Sequence, residues 1–215
     1  MICVGVLALQ GGFLEHIRCL ELLNVQAITV RTIADAKKCQ AFIIPGGEST
    51  VIAKLAQENG LLDYLLLQYE KKAAIWGTCA GAVLCSKGGA SAAGNYLNLV
   101  DVVVKRNAYG TQINSSITEV FSAVSQQSLG EAALIRAPKF MDFGEGVAVI
   151  AKDGSDNIMS LASKRCLLTS FHPELLFGQG FNWHLWFVEV ASKTKQSFAE
   201  LPDSKSFFSS KGGVG

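Results

Sequence analysis

Ala73-Ala74-Ile75-Trp76-Gly77-Thr78-Cys79-Ala80-Gly81-Ala82-Val83-Leu84 is the stretch on which the fold turns. A short apolar run ends at Trp76, Gly-x-Cys-x-Gly follows, and helix-forming residues come next. That order predicts a buried strand, a sharp turn with a thiol at its apex, and a helix. Small residues on both sides let the backbone turn without Cβ clashes. The helix N-terminus behind Cys79 would favour the thiolate, the reactive form of the side chain. The same residues also read as a small apolar cysteine in a glycine-rich bend, because free cysteine is among the most buried residue types. A base within reach is what separates the two readings.

Upstream of this stretch, strand and helix patterns alternate. Ile2 to Leu9 reads as a strand, and Gly11-Gly12 opens a helix with Phe13, Leu14, Ile17, Leu20, Leu22 and Leu23 at helical spacing, ending near Asn24. Val25 to Val30 and Ala41 to Ile44 read as two further strands. Pro45-Gly46-Gly47 stops the second of these, and Ser49 or Thr50 could cap a helix running on towards Tyr69. Continuous apolar strands alternating with helices predict an α/β fold: one domain, a three-layer sandwich, with a flavodoxin-like, mostly parallel sheet covered by helices on both faces. Ligands of such sheets collect at the carboxyl ends of the strands. The turns at Gly11-Gly12, Gly46-Gly47 and Gly77 to Gly81 all lie there.

Downstream, shorter strand-like runs span Val100 to Lys105, Ile117 to Phe121, Ala132 to Ile135, Val147 to Ala151, Ile158 to Ala162 and Cys166 to Phe171, with a closing helix over Phe181 to Ala191. Gly88 to Leu97 reads as a loop. From Lys193 onward Lys, Ser and Gly dominate, so the domain is expected over 1–192 and a disordered tail over 193–215.

The chain has 215 residues, 49% hydrophobic and 17% charged, with a formal net charge of +1. That supports one well-buried domain and argues against nucleic acid or a membrane surface as the main partner. The apolar start lacks a preceding Lys or Arg and reads as a strand, not a signal peptide. Six cysteines without a C-x-x-C pair fit a reducing, cytoplasmic setting and give no metal-ligand spacing, so no metal is expected.

Of the three histidines, only His172 sits in a His-x-carboxylate pattern, Phe171-His172-Pro173-Glu174. Pro173 biases His172 away from helix, so His172 and Glu174 would meet at a strand end as base and orienter for Cys79. The bland reading is a surface His beside a turn-forming Pro. In Pro45-Gly46-Gly47-Glu48-Ser49-Thr50, two glycines after a strand can turn backbone N–H groups towards a ligand, and Glu48 could meet an ammonium. An ordinary capped loop reads the same way. Arg106 and Arg136 each follow a strand-like run and could hold a carboxylate, or be solvated surface residues.

Taken together, these stretches resemble the class I glutamine amidotransferase superfamily, and within it the glutaminase subunits of pyridoxal 5′-phosphate synthases. The resemblance is carried by Gly5-Val6-Leu7-Ala8-Leu9-Gln10-Gly11 with Glu15-His16, Pro45 to Thr50, Gly77 to Gly81, Arg106-Asn107-Ala108-Tyr109-Gly110 with Gln112 and Ser115, Ile135-Arg136-Ala137-Pro138, and Phe171 to Leu175. It implies hydrolysis of L-glutamine to glutamate and ammonia by Cys79, His172 and Glu174. It implies an oxyanion hole from the N–H groups of Gly47 and Ala80, and glutamine binding by Gly47, Glu48, Ser49, Arg106, Ile135 and Arg136. It further implies a partner synthase subunit facing Gln10 and His16 that receives the ammonia. No cofactor is implied, pyridoxal 5′-phosphate being the partner's product. Other readings stay open here: a glutaminase subunit of another synthase, as in histidine or aminobenzoate biosynthesis; a DJ-1-type cysteine protein, which carries a similar Cys turn; or a binding subunit with a dead site. His172-x-Glu174 and the Gly-Gly-Glu-Ser loop point away from the DJ-1 type, and the complete set of Cys79, His172 and Glu174 points away from a dead site.

Overall fold

Four of the expected strands are buried along their whole length: β1 (Cys3–Leu7), β3 (Ala41–Ile44), β4 (Ala74–Thr78) and β12 (Cys166–Thr169). Their unbroken apolar runs cannot leave either face in water, so they occupy the middle of a sheet. The computed structural model describes residues 2–88, 97–106, 108, 115–176, 180–193 and 196–200. In chain order the other elements are α1 (Phe13–Leu22), β2 (Gln26–Val30), α2 (Ile33–Ala36), α3 (Ser49–Glu58), α4 (Leu61–Glu70), α5 (Ala80–Cys85), β5 (Ser86–Gly88), β6 (Val100–Lys105), β7 (Ser116–Ser122), β8 (Ser128–Leu134), β9 (Lys139–Phe143), β10 (Ala148–Asp153), β11 (Ile158–Ser163) and α6 (Gly180–Ser192).

The main sheet has nine strands in the order β2-β1-β3-β4-β12-β11-β10-β7-β8, and β5-β6-β9 form a small second sheet. The first five strands pair in parallel, in the 2-1-3-4-5 order of flavodoxin-like sheets. The remaining four pairings are antiparallel. The sheet is therefore mixed, half parallel and half antiparallel, and the expectation of a mostly parallel sheet holds only for its first half. The reason is connection length: β10 to β12 are joined by short turns such as Asp153–Asn157, which permit only hairpins.

Helices cover both faces. Leu20 of α1 and Trp183, Trp186 and Phe187 of α6 pack with Val4, Val6, Ile43 and Trp76 on one side. Ile52 and Ala53 of α3, Leu61, Leu62 and Leu65 of α4 and the apolar residues of α5 pack with Phe42, Ile44, Ile75 and Leu168 on the other. The single helix expected from Ser49 towards Tyr69 is two. Gly60, at φ 67°, breaks it and starts α4. Neither Ser49 nor Thr50 caps α3; the N-cap position is Glu48, without a side-chain cap bond. Among the described residues no helix is long and apolar enough to cross a membrane.

The end of α6 carries no basic residue of its own. Buried Arg165 takes that role: its guanidinium donates to the carbonyls of Lys72, Val190, Ala191, Lys193 and Gln196. These bonds hold the chain beyond α6 against the core, and Phe198 is 0% exposed, 5.5 Å from the Trp186 ring and stacked 6.0 Å from Phe187. Packing thus continues past the expected boundary at residue 192. Residues 201–215 of the expected tail, and 89–96 of the expected loop, lie outside the described residues.

Candidate active site

Cys79 stands between β4 and α5 with φ 47° and ψ −103°, a backbone region that costs a non-glycine residue about 1–3 kcal/mol. Surrounding contacts hold it there. Its N–H donates to Thr169 O at 2.8 Å at the end of β12, and its carbonyl accepts from Val83 N–H at 3.3 Å. The glycines of the motif are required by close approach. A Cβ on Gly77 would lie 2.6 Å from the Gly81 carbonyl carbon, and one on Gly81 would collide with the Ile44 carbonyl of β3. The thiol points to the carbonyl of Ile135, 3.8 Å away.

His172 follows β12 and is fixed by its backbone. Its N–H donates to Ala133 O at 3.0 Å, an isolated antiparallel bridge to β8. The antiparallel half of the sheet thus returns its last strand to the end of β12, which carries Ile135 and Arg136 to the same place. Arg136 has φ 48°. Pro173–Leu175 form a single 3-10 turn, which brings Glu174 back beneath its neighbour: Glu174 Oε1 lies 2.8 Å from His172 Nδ1.

These groups meet in a cleft of about 330 Å³ at the carboxyl ends of β1, β3, β4 and β12. Cys79, His172, Glu174, Gly47, Glu48, Ser49, Ala80, Arg106, Ile135 and Arg136 all line it. The volume lies at the small end of ligand pockets, the scale of an amino acid. Gly46 packs against both Cys79 and His172. A Cβ there would run into the His172 ring and stand 3.3 Å from Cys79 Cβ. Arg106 and Glu48 face each other across the mouth at 2.9 Å. Asn107, Tyr109, Gly110 and Gln112 of the motif that follows Arg106 lie outside the described residues. Glu15, in the first turn of α1, also lines the cleft. Its place just after Gly11-Gly12 sets it at the same strand end as the rest of the site. Among the described residues no cluster of His, Cys, Asp and Glu is placed to hold a metal ion.

The charges support one another. Burial works against a positive His172, but Cys79 and Glu174 outweigh it and raise the imidazole to about 10. Burial works against a charged Glu174, but the facing His16 and His172 pull the carboxyl down to about 2. His172 therefore stands as an imidazolium on an ionised Glu174 near neutral pH.

Two expected partner-facing residues behave differently. Gln10 is half-buried, and its Oε1 accepts from Glu48 N–H at 2.7 Å, bracing the Gly46-Gly47-Glu48 turn from beneath. His16 is 0% exposed and cannot touch a partner with its side chain. The helical spacing that puts Ile17 and Leu20 inward also turns His16 inward, against Thr78, Glu174 and His184.

The sequence profile of the SNO glutamine amidotransferase family matches residues 6–193. A relative named pyridoxal 5′-phosphate synthase subunit PdxT, from Pseudothermotoga lettingae, is 42% identical over 189 residues, covering 87% of this chain and 95% of its own. One of the same name from Caldicellulosiruptor saccharolyticus is 42% identical over 186 residues, covering 86% and 96%. A solved glutamine amidotransferase structure superposes with a TM-score of 0.81 at 38% identity, over 88% of this chain and 98% of that one. A putative GMP synthase subunit from Thermoplasma acidophilum shares the fold at 15% identity and a TM-score of 0.61, over 91% and 96%. With the family profile matching most of its length and relatives about 40% identical over nearly their whole chains, the chain belongs to the SNO glutamine amidotransferase family.

Proposed function

We propose that the chain is a glutaminase subunit that hydrolyses L-glutamine to glutamate and ammonia with Cys79 as nucleophile, His172 as proton carrier and Glu174 as its orienter. The observation that carries this reading is the strained turn that presents Cys79 in one small cleft with the 2.8 Å His172–Glu174 pair. Arg106 and Arg136 hold the glutamine α-carboxylate, Glu48 meets the ammonium, and Gly47, Ser49 and Ile135 complete the pocket wall. Cys79 Sγ attacks the side-chain amide carbon. The N–H groups of Gly47 and Ala80 receive the oxyanion; Ala80 is the first residue of α5, so its N–H has no acceptor within the helix. His172 gives a proton to the leaving ammonia, and a γ-glutamyl thioester remains on Cys79. Water, deprotonated by His172, then attacks the thioester and releases glutamate.

The names of the relatives support a synthase subunit making pyridoxal 5′-phosphate as the partner that takes up the ammonia. Gln10, beneath the Gly46-Gly47 turn, is our candidate for the residue that senses it. The unpaired state of all six cysteines supports a reducing, cytoplasmic setting. The test is glutamate release by the chain in the presence of a pyridoxal 5′-phosphate synthase subunit. Cys79→Ala should abolish it with the fold kept, and retained activity would remove Cys79 from the reaction. Arg106→Ala should mainly raise the KM for glutamine.

A further inference from the structure

All three histidines of the chain lie along one line through the core. Beyond the pair of His172 and Glu174 Oε1, the second carboxylate oxygen, Oε2, has no aligned hydrogen-bond donor. His16 Nε2 stands 3.3 Å from it. The same nitrogen is 3.3 Å from Thr78 Oγ1, and His16 Nδ1 is 2.8 Å from His184 Nε2. His16, Glu174 and His184 are each 0% exposed. The chemistry proposed above uses neither His16 nor His184.

An unsupported carboxylate oxygen in such a place is costly, and the torsion that orients a carboxylate is soft. Rotation about it would swing Oε1 off His172. His16 stands directly beside Oε2. The His16 ring is itself held: the Trp76 ring packs edge-on at 5.8 Å and His184 lies 5.1 Å away. Proton bookkeeping fixes the direction of the line. An ionised carboxylate only accepts, so His16 carries its hydrogen on Nε2. Burial keeps His16 below the ordinary imidazole range, against the pull of Glu174 and Glu15 and with the push of His172. With its hydrogen on Nε2, the ring offers Nδ1 to His184 Nε2 at 2.8 Å. Thr78 directly precedes Cys79, so His16 touches both the strand that carries the nucleophile and the carboxylate that orients the base.

We propose that His16 is a positioning residue for glutamine hydrolysis: its ring, held by His184 and Thr78, stands 3.3 Å from Oε2 and confines the Glu174 carboxylate so that Oε1 stays on His172. The proposal rests on the Cys79–His172–Glu174 reading above. His16 is absent from the cleft wall, so it acts on turnover and not on substrate binding. The charged and titratable groups facing this centre are His172, Glu15 and His184 around His16 and Glu174, with the Cys19 thiol 3.9 Å from the Glu174 carbonyl.

The test uses the full chain assembled with a pyridoxal 5′-phosphate synthase subunit. His16→Leu removes the donor while keeping an apolar fill. It should lower kcat about a hundredfold, the scale of a small misplacement of a reacting group, with the glutamine KM within about twofold of the parent. The acid limb of kcat/KM should move to higher pH, because Glu174 loses a neighbour that lowers its proton affinity. His16→Gln, which can still offer an N–H towards Oε2, should recover at least about tenfold of the loss. A His16→Leu enzyme with parental kcat overturns the proposal, as does an equal loss in both variants with the acid limb unmoved. If His16→Leu does not fold, His16→Gln is compared with His16→Asn, whose amide falls short of Oε2. Asn must then be the slower, and equal rates overturn the proposal. Cys79→Ala run beside them separates the two ideas. Activity in Cys79→Ala sinks the site assignment itself, whereas an inactive Cys79→Ala beside a fully active His16→Leu sinks only the role of His16.

Discussion

Replacing Gly46 with alanine would press one methyl group against both His172 and Cys79. Its carbon would stand 2.9 Å from His172 Nδ1 and 3.3 Å from Cys79 Cβ, and closer still to His172 Cε1, where ordinary contact begins near 3.4 Å. Relief at Nδ1 alone needs a shift of about 0.5 Å, and relief at Cε1 needs more, so the whole imidazole must withdraw. Nδ1 is also the atom that meets Glu174 Oε1 at 2.8 Å, and any shift bends or breaks that bond. A displacement approaching 1 Å costs about a hundredfold in rate, while overpacking one methyl costs about 1–3 kcal/mol of stability. Gly46→Ala should therefore remain folded, melt a few degrees lower, and lose about two orders of magnitude in kcat. Partner-stimulated glutamate release and a melting curve on the same preparation measure both. A folded Gly46→Ala chain that keeps half or more of the parental rate would refute the claim that the close approach of this glycine sets the position of His172 beside Cys79.

Three further outcomes bear on the fold and its electrostatics. Arg165→Met should destabilise the chain by about 3 kcal/mol or more, because five carbonyls lose a charged donor and several are buried; a denaturant midpoint near the parent's would contradict that. Phe198→Ala should cost about 3–5 kcal/mol, and truncation after Ser192 at least as much; parental stability in the truncated chain would put the domain end back at residue 192. His172 is raised from 6.5 to about 10, so its contribution to stability is full below pH 6.5 and fades as the pH climbs towards 10. Glu174 is lowered from 4.5 to about 2, so its contribution is full above pH 4.5 and fades as the pH falls towards 2. The stability advantage of the parent over Glu174→Gln should thus be greatest between pH 4.5 and 6.5 and narrow on either side; a difference that is constant with pH would contradict the pairing.

The parallel half of the sheet was legible because its central strands are short, continuous and apolar, and β1, β3 and β4 each end in a glycine-rich turn. The cleft was legible for the same reason: Cys79, Gly46-Gly47 and His172 all lie at strand ends, and topology gathers strand ends at one edge. What the pattern could not give is pairing. Nothing in Ala148–Asp153 or Ile158–Ser163 says whether a neighbour runs parallel or antiparallel; loop length decides it, and the mixed sheet follows from turns too short for a crossover. Lys139–Phe143 escaped notice because its exposed residues break the alternation, yet this strand closes the small sheet. Arg165 and Phe198 were illegible individually, since each becomes structural only through partners far along the chain. His16 was misplaced towards the surface although its spacing from Ile17 and Leu20 already set it on the inner face of α1.

The central claim is that Cys79 is the nucleophile of a partner-dependent glutaminase. Glutamate release from L-glutamine, measured for the chain alone, with a pyridoxal 5′-phosphate synthase subunit, and with Cys79→Ala plus that subunit, tests it most directly. The account predicts a low rate alone, a strong rise with the subunit, and none with Cys79→Ala. Glutamate release by Cys79→Ala at the parental rate would contradict it.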